Sequence, residues 1–392
     1  MQKNLKIYII AGEPSGDFIG YSLIKQFLKN ETIKVDFFGV GGSLMQSLVD
    51  SKNQQVFNSL FDIKNIAIMG FVEIIFKIFK IKKLINTVAK DIIKINPDVV
   101  ITIDSLGFNK RVISKIKNKT SAKLIHYVAP TVWAWKPKRV YEIAKLFDGL
   151  LCLFEFEKKY FETLIPTYIV GHPIIESEIS KGNKEHFLTK YNLTDNKTYV
   201  LLMPGSRITE VSRLLSIFIE TTKKLKEKYP NLHILLPTVP HLYDYIKTYV
   251  NSKDLKNITI INNIADKYNS FKLSKLAIIA SGTASLETSL AGIPTIVAYR
   301  VNFISYIIAN LLIKIKYASI INIISNKQII PEFLQYNCTV KNLYQASINI
   351  LDNKNSNNNK EIFEIMENLG YNKFVPSYIA MNYILDIINK KV

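Results

Sequence analysis

The chain has 392 residues, 48% of them hydrophobic and 21% charged, and carries a formal net charge of +19. That length exceeds what one core usually organises, so two domains with sizeable cores are expected. The charge, partly a by-product of a general richness in Asn, Lys and Ile, favours an anionic partner; with Lys and Arg spread evenly and no Cys/His finger or aromatic RNP-like strand, nucleic acid is not the expected one.

The apolar run Leu5 to Ala11 predicts a strand that enters the turn Gly12-Glu13-Pro14-Ser15-Gly16-Asp17, followed by a helix near Gly20 to Leu28. Glu13 and Asp17 could bind a polar acceptor, and Asp17 equally reads as a helix-start cap. No leader pattern precedes this strand, so the protein is expected to stay in the cytosol. Val35 to Val40 is a second strand. From Ile66 to Leu84 large apolar residues recur at helical spacing, with Lys77, Lys80, Lys82 and Lys83 gathered at the end. An amphipathic helix on an anionic membrane surface has this composition, with Phe71, Ile75, Phe79 and Lys80 as membrane-facing candidates; a core helix with one wet face has it too. Neither this stretch nor Phe303 to Ile324 reaches an uncharged span of about 18 residues, so no transmembrane helix is expected.

Strands follow at Asp98 to Ile103 and Leu124 to Val128. Asp104 ends the first of these and precedes Ser105-Leu106-Gly107-Phe108-Asn109. A carboxylate on the end of a rigid strand suits a general base, and an Asp there also suits a helix cap. Trp133-Ala134-Trp135, with Lys136, Lys138 and Arg139, suits stacking on a sugar or a lipid headgroup layer, and equally a core tryptophan beside a solvated turn. His172, in VGHP, reads as a packing residue. Cys152 and Cys338 match no metal or redox spacing and are expected to be buried and reduced. No His/Asp/Glu cluster and no paired acids for Mg²⁺ are present, so neither metal nor cofactor is expected.

A polar stretch over 173–198 reads as a joint, after which a second strand-helix series begins at Tyr199 to Met203 and runs through His233 to Leu236, Ile258 to Ile261, Leu276 to Ala280 and Thr295 to Tyr299. Its first strand ends in Pro204-Gly205-Ser206-Arg207, a close turn with a hydroxyl and a guanidinium suited to phosphate, and Glu210 is placed to orient Arg207. The strand Leu276 to Ala280 stops at Ser281-Gly282-Thr283, where backbone N–H groups and hydroxyls can converge on an anion, and Glu287 falls one turn later, where it suits a ribose diol. An ordinary crossover with a tight turn has the same pattern. Gly292 and Pro294 end that helix. Asn353 to Asn359 is a low-complexity polar loop, and 361–392 is helical, broken near Gly370 and Pro376. The expected organisation is a first domain over 1–172, a linker over 173–198 and a second domain over 199–360. Both are α/β domains with doubly wound parallel sheets, and because the motifs fall at carboxyl ends of strands, an interdomain ligand cleft is expected.

These motifs together closely resemble the lipid-A-disaccharide synthase family, inverting glycosyltransferases of the GT-B fold. The resemblance covers nearly the whole chain and rests on AGEPSGD (Ala11 to Asp17), IMGFVE (Ile68 to Glu73), PDVVITIDSLGFN (Pro97 to Asn109), HYVAPTVWAWKPKRV (His126 to Val140), VGHP, PGSR, SGTASLE (Ser281 to Glu287) and the stretch that follows Val297. It implies transfer from UDP-2,3-diacylglucosamine to the 6-hydroxyl of 2,3-diacylglucosamine 1-phosphate (lipid X), at the inner face of a Gram-negative inner membrane. It makes Asp104 the base, gives the diphosphate to Gly205, Ser206, Arg207, Ser281, Gly282 and Thr283, and the ribose to Glu287. It also puts Asn322 near the donor and leaves Glu13, Ser15, Gly16, Asp17 and Asn109 as acceptor candidates. A homodimer is a further implication, as is a C-terminal helix, over about 361–392, that packs back on the first domain. One departure matters: where the family reads D-A/S-P-D-F-N, this chain has Gly107 in place of the second acid. The competing readings are another GT-B UDP-GlcNAc transferase or a UDP-sugar 2-epimerase, and a non-catalytic binder of membranes or nucleic acid held by charge.

Overall fold

Strands buried on both faces of a parallel sheet read as continuous apolar runs, and the first strand, β1 (Lys3–Ala11), shows why. Its Ile7, Ile9 and Ala11 enter one core while Tyr8 and Ile10 enter another on the opposite face. The computed structural model describes residues 3–66, 74–302, 316–352 and 359–389. The chain forms two compact units, Met1–Glu176 with Leu369–Val392, and Ser177–Asn368.

In the first unit β1 is followed by α1 (Pro14–Leu28), β2 (Ile33–Val40), α2 (Ser43–Gln46), α3 (Ile74–Ile95), β3 (Val99–Ile103), α4 (Leu106–Ile116), β4 (Lys123–Tyr127), α5 (Arg139–Leu146), β5 (Gly149–Cys152), α6 (Glu155–Lys158) and β6 (Thr167–Ile169). The sheet is wholly parallel, in the order β2-β1-β3-β4-β5-β6. Its winding reverses between β1 and β3, where Ala11 lies opposite Ile103, so the turns after these two strands flank the switch point at which open α/β sheets bind ligands. α1 starts six residues earlier than Gly20, because Glu13 is an extended N-cap and Pro14 has its φ preset for the first helical position.

The second unit holds α7 (Lys184–Lys190), β7 (Thr198–Met203), α8 (Ile208–Lys228), β8 (Leu232–Pro237), α9 (Tyr243–Ser252), β9 (Ile258–Ile261), α10 (Ile264–Phe271), β10 (Ser274–Ala280), α11 (Ala284–Leu290), β11 (Thr295–Tyr299), α12 (Ile320–Ser325), β12 (Glu332–Leu334), α13 (Val340–Leu351) and α14 (Asn359–Asn368). Its parallel sheet runs β12-β11-β10-β7-β8-β9, and the winding reverses between β7 and β10.

Two boundaries differ from those read in the sequence. Residues 177–198 are built into the second unit: Asp266, only 2% exposed, accepts hydrogen bonds from Lys190 Nζ at 2.6 Å and the Tyr191 hydroxyl at 2.8 Å, which fastens the polar stretch to α10. The C-terminal return to the first unit begins at Leu369 rather than 361, since α14 packs against α11 and α12. Beyond it α15 (Pro376–Asn389) inserts Ala380, Met381, Ile384 and Ile387 into the core shared with Ile19 and Leu23 of α1. Ser377 fixes its start by donating from its backbone N–H and hydroxyl to Glu176, at 2.7 and 2.6 Å. The low-complexity loop expected over Asn353 to Asn359 falls almost wholly outside the described residues.

Candidate active site

At the end of β3 the chain makes a turn that side chains rarely accept. Asp104 and Ser105 both have left-handed backbones, at φ +48° and +42°, each costing about 1–2 kcal/mol for an L-residue. Beside them Val128, after β4, sits at φ +77°, an outlying conformation for a β-branched residue. The surroundings hold this strain in place. Asp104 N–H donates to the Tyr127 carbonyl at 2.9 Å, Val128 N–H to that of Leu151 at 2.9 Å, and Asn109 Nδ2 donates to the Asp104 carbonyl at 2.7 Å. Asn109 is fully buried, and its Oδ1 has no hydrogen-bond partner among the described residues. Gly12, after β1, completes the frame: a Cβ there would lie 2.6 Å from Ser105 Oγ and 2.9 Å from Ser105 Cβ. The half-buried Asp104 carboxylate therefore stands on a backbone fixed from both neighbouring strands, as positioned proton transfer requires.

The other candidates of this unit separate. Asp17 is 3% exposed and its carboxylate accepts from the backbone N–H groups of Gly42 at 2.7 Å, Leu44 at 3.0 Å and Met45 at 3.2 Å. Burial pushes its carboxyl up while those three donors hold it down. It is a clamp on the start of α2, which takes it out of the acceptor candidates. Gly16 is buried and a Cβ there would make only ordinary contact, at 3.5 Å, with Ala11 and Ile103. Ser15 is exposed and Glu13 half-buried at the start of α1. His172 packs: burial pushes its imidazole down to about 4, and its Nδ1 accepts from Ile174 N–H at 3.1 Å. Both cysteines are buried and free.

In the second unit the turns after β7 and β10 flank the switch point. Gly205 has φ +121°, and a Cβ there would fall 2.5 Å from Glu210 Oε2. Glu210 gathers the turn, accepting from the backbone N–H groups of Ser206 and Arg207 at 3.2 and 3.3 Å and from the Arg207 guanidinium at 3.2 Å. Arg207 is 47% exposed and carries a planar fork of five N–H donors. Gly282, at φ +146°, has open space where a Cβ would be, and Thr283 is exposed. Ser281 differs from expectation, since its hydroxyl is donated to the Ala318 carbonyl at 2.7 Å.

Asn322 is also placed differently. It is fully buried and all four of its hydrogen-bonding sites are used: Nδ2 donates to the Ile330 carbonyl at 2.7 Å and Glu332 Oε1 at 2.6 Å, and Oδ1 accepts from Ile329 and Ile330 N–H, both at 2.8 Å. Glu332 accepts in addition from Ala318 and Ser319 N–H, at 2.9 and 2.7 Å. Asn322 thus braces the segment on which Ser281 leans rather than presenting an atom to a ligand. Glu287, on α11, has both carboxylate oxygens 2.7 Å from Lys267 Nζ.

The chain matches the family model described as lipid-A-disaccharide synthetase over residues 7–373. A lipid-A-disaccharide synthase of Rhodospirillum centenum is 35% identical over 100% of this chain and 96% of its own length, and one of Rickettsia prowazekii 38% identical over 97% and 98%. The chain belongs to the lipid-A-disaccharide synthase family. Among solved structures, a UDP-GlcNAc 2-epimerase from Neisseria meningitidis, bound to UDP-GlcNAc, superposes with a TM-score of 0.66 at 14% identity, covering 97% of this chain and 100% of that one. A UDP-N-acetylglucosamine 2-epimerase from Rickettsia bellii gives 0.64 at 17%, covering 100% and 99%. At such identities the likeness carries the fold, which is the GT-B class of two Rossmann-like domains.

Gly107, which the resemblance sets at the place of a second acid, is exposed in the first turn of α4, and a Cβ there would meet nothing within 4 Å among the described residues. Of the membrane-facing candidates, Phe71 and the whole IMGFVE motif lie outside the described residues, and Ile75 is described only as part of α3. The rest of α3 serves two purposes: Ile85, Val88, Ala89 and Ile92 are buried in the core, whereas Phe79 is 80% exposed beside exposed Lys80, Lys82 and Lys83. Trp135 is exposed, with Lys136 Nζ 4.3 Å and Arg139 Cζ 5.0 Å from its ring centre. No helix among the described residues is long and apolar enough to cross a membrane.

Proposed function

We propose that this protein transfers the 2,3-diacylglucosamine group of UDP-2,3-diacylglucosamine to the 6-hydroxyl of 2,3-diacylglucosamine 1-phosphate. The products are the β-1,6 disaccharide 1-phosphate and UDP. Family membership over nearly the whole chain supports this reading, and the observation that carries it is Asp104, held on a doubly left-handed turn at the switch point of its sheet. Asp104 takes the proton of the acceptor 6-hydroxyl as that oxygen attacks the anomeric carbon from the face opposite UDP. The bond from the anomeric carbon to the diphosphate oxygen breaks, the configuration inverts, and UDP leaves with the electron pair. Arg207, the hydroxyl of Ser206 and the backbone of the Gly205 and Gly282 turns offset the charge gathering on the diphosphate, with the donors fixed before reaction. Glu287 accepts the ribose hydroxyls. Asn109 positions Asp104 through its backbone.

Both substrates are acylated, and the surface of α3 supports docking on an anionic membrane face: Phe79 enters the headgroup layer while the neighbouring lysines meet the phosphates. The test is the purified protein with both substrates. Disaccharide and UDP formed in equal amounts are the expected result; UDP released without disaccharide, or no turnover while UDP binds, sends the assignment to another acceptor.

A further inference from the structure

The aromatic and basic turn after β4 has no part in the reaction as proposed, yet it is firmly built. Ala129 and Val132 are buried in the core, and Trp133 packs edge-on against Phe156 with ring centres 5.3 Å apart. The Thr131 carbonyl accepts from the N–H groups of Ala134 and Trp135, both at 3.1 Å. From this support Trp135 stands 37% exposed, with Lys136 Nζ 4.3 Å and Arg139 Cζ 5.0 Å from its ring centre. Lys136 reaches the ring from a left-handed backbone, at φ +54°, which L-residues rarely adopt.

Two cations held at one indole repel each other, and neither has an ion-pair partner among the described residues. The acid beside them, Glu142, is engaged by Lys110 at 2.9 Å; that hydrogen bond, ahead of the charges of Lys110, Arg139 and Lys136, holds its carboxyl below the usual carboxylate range. A guanidinium fork and an ammonium at one ring suit the three oxygens of a phosphate monoester, which carries close to two charges at neutral pH.

The position of the turn points to whose phosphate this is. β4 adjoins β3, with Tyr127 opposite Ile103, and α4 and α5 pack on the same face of the sheet. Crossovers of one hand make these helices run in the same direction, and the Lys110–Glu142 pair sets their register. Arg139, one turn before Glu142, is therefore level with the first turn of α4, which follows directly on Asp104 and Ser105. Packed helices stand about 8–10 Å apart, the reach of one sugar ring carrying a phosphate.

We propose that Lys136 and Arg139, held by Trp135, bind the anomeric phosphate of the acceptor while its 6-hydroxyl lies at Asp104. The inference rests on the proposed reaction. The experiment is steady-state transfer by the full chain in neutral detergent micelles, with saturating UDP-2,3-diacylglucosamine and either 2,3-diacylglucosamine 1-phosphate or the same sugar without its phosphate. The unaltered protein prefers the phosphorylated acceptor by roughly tenfold or more in kcat/KM, the size expected for hydrogen bonds between charged groups. Lys136→Met and Arg139→Met each lose most of that preference by raising KM for the phosphorylated acceptor, with kcat kept. Arg139→Lys keeps the charge without the fork and retains part of it. Lys138→Met removes the same charge from the exposed residue between them and retains it all.

The failures are distinguishable. No disaccharide from either acceptor overturns the proposed reaction and the inference with it. Equal use of both acceptors by the unaltered protein overturns the inference alone, as does a preference kept by Lys136→Met and Arg139→Met or lost equally by Lys138→Met. A rate loss shared by both acceptors shows a merely structural turn. Variants that keep the preference in micelles but no longer sediment with phosphatidylglycerol vesicles assign the cations to bilayer headgroups, which also overturns it.

Discussion

Replacing Asn322 with alanine removes four hydrogen bonds from a position with no solvent access. The cost follows from what each partner does next. Ile329 N–H falls back on the Lys327 carbonyl at 3.2 Å, but Ile330 loses partners for both its N–H and its carbonyl, and Glu332 loses the nearest of its three donors. Two orphaned buried groups at about 1–3 kcal/mol each, and one charge-assisted bond at about 1.5–3 kcal/mol, give about 3–5 kcal/mol once partial relaxation is allowed. Against a typical total of about 5–15 kcal/mol this is a severe loss. The assay is thermal unfolding together with amide hydrogen exchange over the peptide 318–334. The melting midpoint should fall, the amides at 329 and 330 should exchange fast, and UDP affinity should drop because the Ala318 carbonyl that receives Ser281 is released. A variant with unchanged midpoint and protection that nevertheless fails to bind UDP would refute this reasoning and return Asn322 to direct ligand contact.

Gly12→Ala should abolish turnover with the protein still folded, because the added Cβ meets the Cβ of Ser105 on a turn that cannot yield; adding Ser105→Gly should restore activity, and a Gly12→Ala variant with normal rates would contradict the close approach. Glu157 is 2% exposed and accepts from Leu153 and Phe154 N–H at 3.0 and 3.1 Å. Burial pushes its carboxyl up to about 7 against those two donors. A raised carboxyl binds its proton more tightly in the folded state, so its contribution is complete below the ordinary value and lost as pH rises towards 7, by up to about 3 kcal/mol. Glu157→Gln should flatten the fall in melting midpoint between pH 5 and 8; an unchanged slope would show that Glu157 does not titrate there.

Much of the fold was legible because the buried strands are largely apolar runs, several of which stop at glycine, aspartate or serine. Val99 to Ile103 before Asp104 and Leu276 to Ala280 before Ser281 are examples, and local pattern carries such information directly. The positions of Asp104, Arg207 and Glu287 at strand or helix ends followed from it, as did the pairing of Arg207 with Glu210 three residues later. What stayed hidden are the partners supplied from a distance. Nothing local links Glu287 to Lys267 twenty residues earlier, Asn322 to Glu332 across a turn, or Asp17 to the N–H groups at 42–45. Each of those polar side chains looked free in sequence and is engaged in the fold. The stretch 177–198 read as a joint because it is polar and lacks strands, yet Lys190 and Tyr191 meet a buried acid that burial and composition alone do not announce.

The central claim is that Asp104 takes the proton of the attacking hydroxyl, and the most direct test is the single-turnover rate of Asp104→Asn with both lipid substrates. Asparagine tolerates a left-handed backbone as well as aspartate does, and the bond from residue 104 N–H to the Tyr127 carbonyl is kept, so the turn should survive the change. The rate should fall by roughly 100-fold or more with UDP affinity unchanged. A variant that turns over at close to the normal rate, or one that loses UDP binding in step with its rate, would contradict it.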